Sequence, residues 1–140
     1  MKTYGGFLIS QIHQLGNREL ERILKENGVD EFNGAQGKIL YVLWENKDIT
    51  ISEISKLTSL ANTTLTSMLD RMETQGLIVR THNSLNRRQI IISTTKKAEE
   101  LKGAFDKVSE QVNKTFYSGF SNDEIAFFEN TLRRIIENLK

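Results

Sequence analysis

Apolar residues recur at steps of three and four along most of the chain, which is the spacing of one buried stripe on a helix. The first such segment covers residues 6–26 and includes Leu8, Ile12 and Leu15. Gly16 interrupts it, but the apolar spacing resumes in phase beyond the glycine. The pattern therefore favours one helix, bent or straight, over two helices. The glycine marks either a bend in this helix or a place where another backbone approaches closely.

Further helices are marked by capping signals, in which Asn, Thr or Ser precedes Gln or Glu by three residues. Such pairs occur at residues 33–36, 50–53 and 121–124. They predict a second helix, a short third helix and a C-terminal helix. A long helix over residues 96–117 is predicted before the last of these, with Thr95 as its cap.

Residues 62–76 form a helical segment of a different kind, because small hydroxyl side chains fill the face opposite its apolar stripe. Asn62 or Thr63 is the predicted cap of this helix, and Gly76 supplies a left-handed stop. Two β-rich runs follow at residues 77–80 and 89–93. The loop between the runs ends in two arginines, and Ile49 is expected to add a very short strand beside them.

This helix and hairpin together suit a reader of two adjacent DNA grooves. Thr and Ser hydroxyls reach base edges and phosphates in the major groove, where a Thr methyl packs on a thymine methyl. An arginine-tipped hairpin suits the neighbouring minor groove, since narrow A/T-rich stretches concentrate negative potential. Taken alone, the amphipathic helix is explained by core packing without any DNA contact, and the two arginines are explained by exposure to solvent. Their order and spacing favour DNA binding.

Composition fits one soluble domain, with 38% hydrophobic and 26% charged residues in a chain of 140. The net charge is only +1, but residues 62–97 hold six basic and two acidic side chains, which leaves −3 for the rest. Basic charge is thus concentrated on the proposed reading unit. No apolar run approaches the ~20 residues of a membrane span, and no signal peptide precedes the first helix, so we expect a cytoplasmic protein without membrane contact.

Enzyme chemistry finds little support in the sequence. The chain has no cysteine, which excludes disulfides, zinc–thiolate sites and thiol chemistry. Its two histidines, His13 and His82, belong to no set with metal-ligand spacing, and no glycine-rich phosphate loop is present. We therefore expect no catalytic residue, no metal and no cofactor.

Residues 50–98 resemble the winged helix-turn-helix of the MarR family of bacterial transcriptional regulators, and the similarity extends more weakly over the whole chain. The family pattern reads Thr-x-Thr, Leu-Asp-Arg-Leu, Gly-Leu-x-x-Arg, a loop ending Asp-Arg-Arg, and Leu-Thr-x-x-Gly. The chain matches it at residues 64–66, 69–72, 76–80, 86–88 and 94–98.

The resemblance implies a mainly α fold with a small β-hairpin wing, in which a winged helix-turn-helix is joined to a helical dimerisation region. Residues 33–98 would form the DNA-binding lobe, and residues 1–32 and 99–140 the dimerisation helices. The implied function is a homodimeric repressor that reads a pseudo-palindromic operator in double-stranded DNA. The expected DNA contacts are Thr63, Thr64, Thr66 and Ser67 to bases and phosphates, Arg71 to the backbone, and Arg87 and Arg88 to the minor groove.

Three departures from the family pattern bear on this function. Asn86 stands in place of an aspartate that would brace the wing arginines, and Ser67 in place of a basic residue. Both favour the alternative of a winged-helix protein-interaction module without specific DNA binding. Ala98 replaces a glycine at a helix start, which is benign. By resemblance, Asp70 pairs with Arg88 and ties the recognition helix to the wing.

The family's effector cavity lies between the dimer helices and the DNA-binding lobe. By resemblance, His13, Arg18, Tyr41 and Trp44 are candidates to line such a cavity and to hold a small aromatic or anionic effector. Structural packing is the favoured alternative for these four residues. Oxidant sensing through a cysteine, which some members use, is excluded for this chain.

Overall fold

Side-chain caps fix where most of the helices begin. The computed structural model describes residues 1–140 and contains seven helices and three short strands. All three predicted capping boxes form, with Asn33, Thr50 and Ser121 each accepting a hydrogen bond from the backbone amide three residues later. The elements in chain order are α1 (Gly5–Glu26), α2 (Gly34–Asn46), β1 (Ile49–Thr50), α3 (Ile51–Thr58), α4 (Asn62–Thr74), β2 (Ile78–His82), β3 (Ile90–Thr94), α5 (Lys96–Glu100), α6 (Lys102–Phe116) and α7 (Asn122–Leu139).

The first helix is continuous through Gly16, as its in-phase apolar stripe predicted. A Cβ at Gly16 would meet no atom within 4 Å, so close backbone approach within this chain does not explain the glycine. None of the helices combines the length and apolarity that a membrane span requires.

Two details of the predicted helices were wrong. Ala61, not Asn62 or Thr63, is the cap of α4, and no side chain caps that helix. The chain becomes helical at Asn62, so a side chain there already lies inside the first turn. The long helix predicted over residues 96–117 is divided at Leu101 into α5 and α6. The first part packs on β3 and the second on α1.

A small antiparallel sheet connects the helices around one core. Its strand order is β1-β3-β2, and Ile92 of the central strand lies opposite both Ile49 and Arg80. The buried core combines residues from the end of α1 with residues from every later element except α7. Its fully buried large side chains are Leu24, Ile39, Leu40, Leu43, Ile54, Leu65, Leu69, Met72, Leu77, Ile78, Ile92 and Val108.

Much apolar surface stays outside this core. The last helix, α7, contains no buried residue, and Phe127 on it is 75% exposed. On the first helix, Phe7 is 73% exposed and the apolar residues of the next two turns are also open. The two terminal helices therefore carry apolar faces that this chain does not cover by itself.

Candidate nucleic-acid interface

The reading surface is the outer face of α4. Leu65, Leu69 and Met72 are fully buried and hold one face of this helix on the core. The opposite face is consequently free of other parts of the chain. The proposed helix contacts are all exposed: Thr63, Thr64, Thr66, Ser67 and Arg71. Of these, Arg71 lies at the edge of the face, where it lines an open cavity with residues of α1 and α2.

The turn before α4 sets its angle to α3. Ser59 ends α3 in a left-handed conformation, with φ of 60°, where glycine is the usual residue. Ser55 Oγ donates a hydrogen bond to the carbonyl oxygen of Leu60 at 2.7 Å, which closes the turn. A helix-turn-helix without a glycine therefore forms here, at the cost of a strained serine.

The C-terminal end of α4 is held by three neighbours. Gly76 adopts φ of 76°, as predicted for a left-handed stop. Gln36 Nε2 donates to Gln75 Oε1 at 2.8 Å, and Lys97 Nζ donates to the Gln75 carbonyl oxygen at 2.8 Å. Thr95 Oγ1 donates to the Gly76 carbonyl oxygen at 2.6 Å. The reading helix is thus fixed to α2 and to the start of α5.

Strands β2 and β3 form the wing, and its tip is ordered by asparagine side chains. Asn83 Oδ1 accepts from the Leu85 amide at 3.0 Å, and Asn86 Oδ1 accepts from the Arg88 amide at 3.1 Å. His82 Nδ1 lies 2.9 Å from the Arg87 carbonyl oxygen. Asn86 therefore orders the loop as an amide, in place of the ionised carboxylate expected in the family pattern.

Both wing arginines, Arg87 and Arg88, are exposed, and neither forms an ion pair within the chain. Their guanidinium groups are free to contact phosphates or a groove floor. The predicted ion pair between Asp70 and Arg88 is wrong. Asp70 Oδ1 instead accepts from Arg80 Nη2 at 2.7 Å, since Arg80 lies on β2, the strand that packs directly against α4.

The four effector candidates do not share one cavity. Trp44 is buried in the core with its ring edge on Phe105, 5.2 Å between centroids, and its indole nitrogen has no hydrogen-bond partner. Tyr41 stacks on the same ring at 6.2 Å but is half exposed, and Arg18 is exposed on α1.

His13 lines a cavity of about 370 Å³ between α1, α2 and α6. Asn17 Nδ2 lies 3.3 Å from His13 Nε2, and Asn17 Oδ1 accepts from Lys38 Nζ at 3.2 Å. Apolar side chains of α1 and α6 form the opposite wall, including Val112 and Phe116. Sequence reasoning missed Lys38, because no local signal pairs it with a residue 21 positions earlier.

A larger and more apolar cavity of about 500 Å³ lies between α1 and the turn from α6 to α7. Tyr117 lines it and donates its hydroxyl hydrogen to Glu129 Oε2 at 2.7 Å. Burial and this bond to Glu129 raise the pKa of Tyr117 to about 12, so the phenol stays protonated at neutral pH.

Comparison with known proteins supports the winged-helix assignment. The MarR family model matches residues 32–90. The organic hydroperoxide resistance transcriptional regulator of Bacillus subtilis is 30% identical over 107 residues, which span 71% of this chain and 67% of that protein.

Two solved structures share the fold. A mutant of MarR from E. coli in complex with operator DNA aligns with a TM-score of 0.84 and 24% identity, over 96% of this chain and 99% of that one. BpsR of Bordetella bronchiseptica, whose DNA binding is regulated by 6-hydroxynicotinic acid, aligns with a TM-score of 0.83 and 18% identity, over 93% and 91% of the two chains. Together with the exposed hydroxyl face of α4 and the arginine-bearing wing, these matches establish that the chain belongs to the MarR family of winged helix-turn-helix transcriptional regulators.

Proposed function

We propose that the protein is a cytoplasmic, homodimeric repressor that binds a pseudo-palindromic operator and is released by a small effector. The proposed DNA binding is supported by one observation, which is that the exposed face of α4 lies beside the unpaired arginines of the wing. Because Asp70 and Arg80 join α4 to β2 at 2.7 Å, the two reading elements meet DNA as one unit. Thr63, Thr64, Thr66, Ser67 and Arg71 then contact the major groove and its backbone, and Arg87 and Arg88 the minor groove.

Dimerisation through residues 1–32 and 99–140 is supported by the uncovered apolar faces of α1 and α7. Phe127 and Leu139 are 75% and 82% exposed on α7. A monomer would leave these side chains in water, whereas a two-fold pair buries them and doubles the DNA contact. Residues 33–98 form the DNA-binding lobe in this proposal.

The effector is proposed to be a small aromatic carboxylate in the cavity lined by His13. The Lys38 ammonium group and the Asn17 amide supply polar partners, and Val112 and Phe116 supply an apolar wall. A volume of about 370 Å³ suits a single-ring ligand. The related fold of BpsR responds to a ligand of this chemical class. Of the four earlier candidates, His13 keeps a place in this proposal, and Arg18, Tyr41 and Trp44 do not.

Duplex binding tests the proposal directly. A pool of random duplexes is selected with the purified protein, and the affinity for the recovered site is measured by fluorescence anisotropy over a salt series. We expect a steep fall of affinity with salt, because phosphate contacts release counterions. Absence of duplex binding at physiological salt would overturn the DNA-binding proposal and favour a protein-interaction module instead.

Arg87→Ala tests the minor-groove contact. We expect a loss of about tenfold on sites with A/T-rich flanks and a smaller loss on G/C-rich flanks, since narrow A/T-rich grooves attract arginine most strongly. Lys47→Ala, in the loop between α2 and β1, is the control for loss of one exposed basic side chain outside the reading surface and should leave affinity unchanged. Equal losses of Arg87→Ala on both flanks would exclude minor-groove reading.

A further inference from the structure

The most exposed large apolar residue inside the chain lies at the tip of the wing. Leu85 is 95% exposed, and every other residue from Asn83 to Gln89 is polar or charged. Most of the other exposed apolar residues lie on or beside the terminal helices, where a second copy would cover them, and the exceptions Tyr41, Leu57 and Val79 are only about half exposed. Nothing in a dimer of those helices explains an isolated leucine on the wing.

A single exposed leucine is ordinary on a protein surface, so exposure alone carries no conclusion. The loop of seven residues that presents this leucine is, however, closed by hydrogen bonds of its own. The Asn86 amide donates to the Asn83 carbonyl oxygen at 3.2 Å, and the Gln89 amide donates to the Asn86 carbonyl oxygen at 3.0 Å. The Asn83 side chain closes the loop on Gln89 Oε1 at 2.9 Å and accepts from the Leu85 amide.

Leu85 is therefore held at the outermost point of a preorganised tip whose next neighbours are Asn86 and two free arginines. Little backbone entropy remains to be lost when this tip meets a partner. The adjacent Arg87 and Arg88 bring the tip to a polyanion. The minor groove attracts arginine, and an apolar side chain also gains there, because it packs between base steps and partly unstacks them.

We infer that Leu85 acts as an apolar wedge that enters the minor groove beside the arginines and opens a base step there. This inference rests on the proposed DNA binding and adds a specificity determinant to it. A wedge favours steps that unstack easily, such as TpA, in the DNA flank that the wing meets. The arginines favour a narrow and stiff groove instead, so the two contacts make opposite demands on the flanking sequence.

Leu85→Asn tests the wedge on the selected duplex, prepared with either a TpA step or an uninterrupted A-tract in the flank. Affinity is measured by anisotropy and bending by energy transfer between dyes at the duplex ends. With the TpA step in one flank only, we expect Leu85→Asn to lose about tenfold in affinity, the factor for burying one leucine side chain, with a smaller bend and a smaller loss on the A-tract. Leu85→Met keeps an apolar side chain and should retain both binding and bending.

Ser84→Ala is the neighbouring control and should behave as the unchanged protein does. Since Leu85 packs on nothing, the thermal midpoint of Leu85→Asn should also equal that of the unchanged protein. If the unchanged protein binds duplex DNA while Leu85→Asn keeps its affinity, bend and flank preference, the wedge is wrong and the DNA-binding function stands. Loss of affinity with no change in bend or flank preference also overturns it. If the unchanged protein binds no duplex, both proposals fail.

Discussion

The sequence resemblance pairs Asp70 with Arg88, but in the fold Asp70 forms its ion pair with Arg80. The Arg80 side chain is 22% exposed, and its Nε has no hydrogen-bond partner. Asp70 is 61% exposed, so the pair is partly solvated and contributes no more than ~1 kcal/mol to stability. Its value is geometric, because it sets the position of the wing relative to the reading helix.

Asp70→Asn and Arg80→Gln should each leave the fold intact and weaken binding to the selected duplex, by about fivefold for ~1 kcal/mol of lost positioning. The double variant should lose little more than either single variant, because both remove the same contact. Anisotropy titrations of the three variants measure this directly.

Glu73→Gln is the matched control, because it removes a negative charge from the same helix without breaking an ion pair. Its affinity for DNA should stay equal or rise slightly. If Asp70→Asn binds as tightly as Glu73→Gln does, the positioning role of Asp70 is excluded.

At the scale of elements, the ends of the helices were predictable where the chain carries a local signal at that end. The box at residues 33–36 and the glycine at 76 act on backbone groups within one turn, so the sequence alone reveals them. The division at Leu101 and the cap at Ala61 have no such signal. The first depends on α5 and α6 packing against different parts of the fold, and the second is a residue with no capping side chain.

The residues of the candidate site were likewise predictable only where a local pattern in the sequence indicates them. The exposed face of α4 follows from its buried stripe, and the arginines of the wing follow from the hairpin pattern. The partner of Asp70 and the approach of Lys38 to Asn17 are contacts between distant segments. Such contacts depend on how elements pack, which spacing along one helix does not determine.

The turn between α3 and α4 gives a prediction at this scale. Ser59→Gly should raise the free energy of unfolding by about 0.5–1 kcal/mol, because glycine adopts the left-handed conformation without the steric cost that serine pays. Chemical denaturation followed by circular dichroism measures the change.

Ser52→Gly is the control within α3, where the backbone is helical. It should lower the free energy of unfolding by about 0.5–1 kcal/mol, since glycine is a poor helix former. If Ser59→Gly also lowers it, the left-handed serine is not a source of strain.

At the scale of the whole molecule, the chain separates an inner core from apolar faces on its terminal helices. No residue of α7 is buried, although the helix carries Phe127, Ile136 and Leu139. The proposed DNA-binding lobe has its own buried core, whereas the apolar side chains of the terminal helices would be covered only by a second copy in the proposed dimer. DNA affinity should therefore depend on assembly as well as on the reading surface.

Phe127→Glu should convert the proposed dimer into monomers, because it places a charge on the exposed apolar face of α7. Sedimentation equilibrium reports the mass, and the operator affinity should fall by at least about tenfold when one half-site contact is lost.

Leu57→Glu is the control, since Leu57 is 55% exposed on α3 and lies outside the two apolar faces. It should leave the mass unchanged. A monomeric mass for the unchanged protein would contradict the homodimer itself.

The two hydrogen bonds from Thr95 and Lys97 to the Gly76 and Gln75 carbonyl oxygens, directly after α4, have a mechanical consequence. These residues belong to the segment that continues into the long helix packed on α1, so a rocking motion of that helix displaces the base of the reading helix with it. In the proposed regulator, a shift caused by an effector in the far half of the protein would thus reach the reading helix through a short linkage. Cutting both bonds would leave the two halves intact and would uncouple their movements.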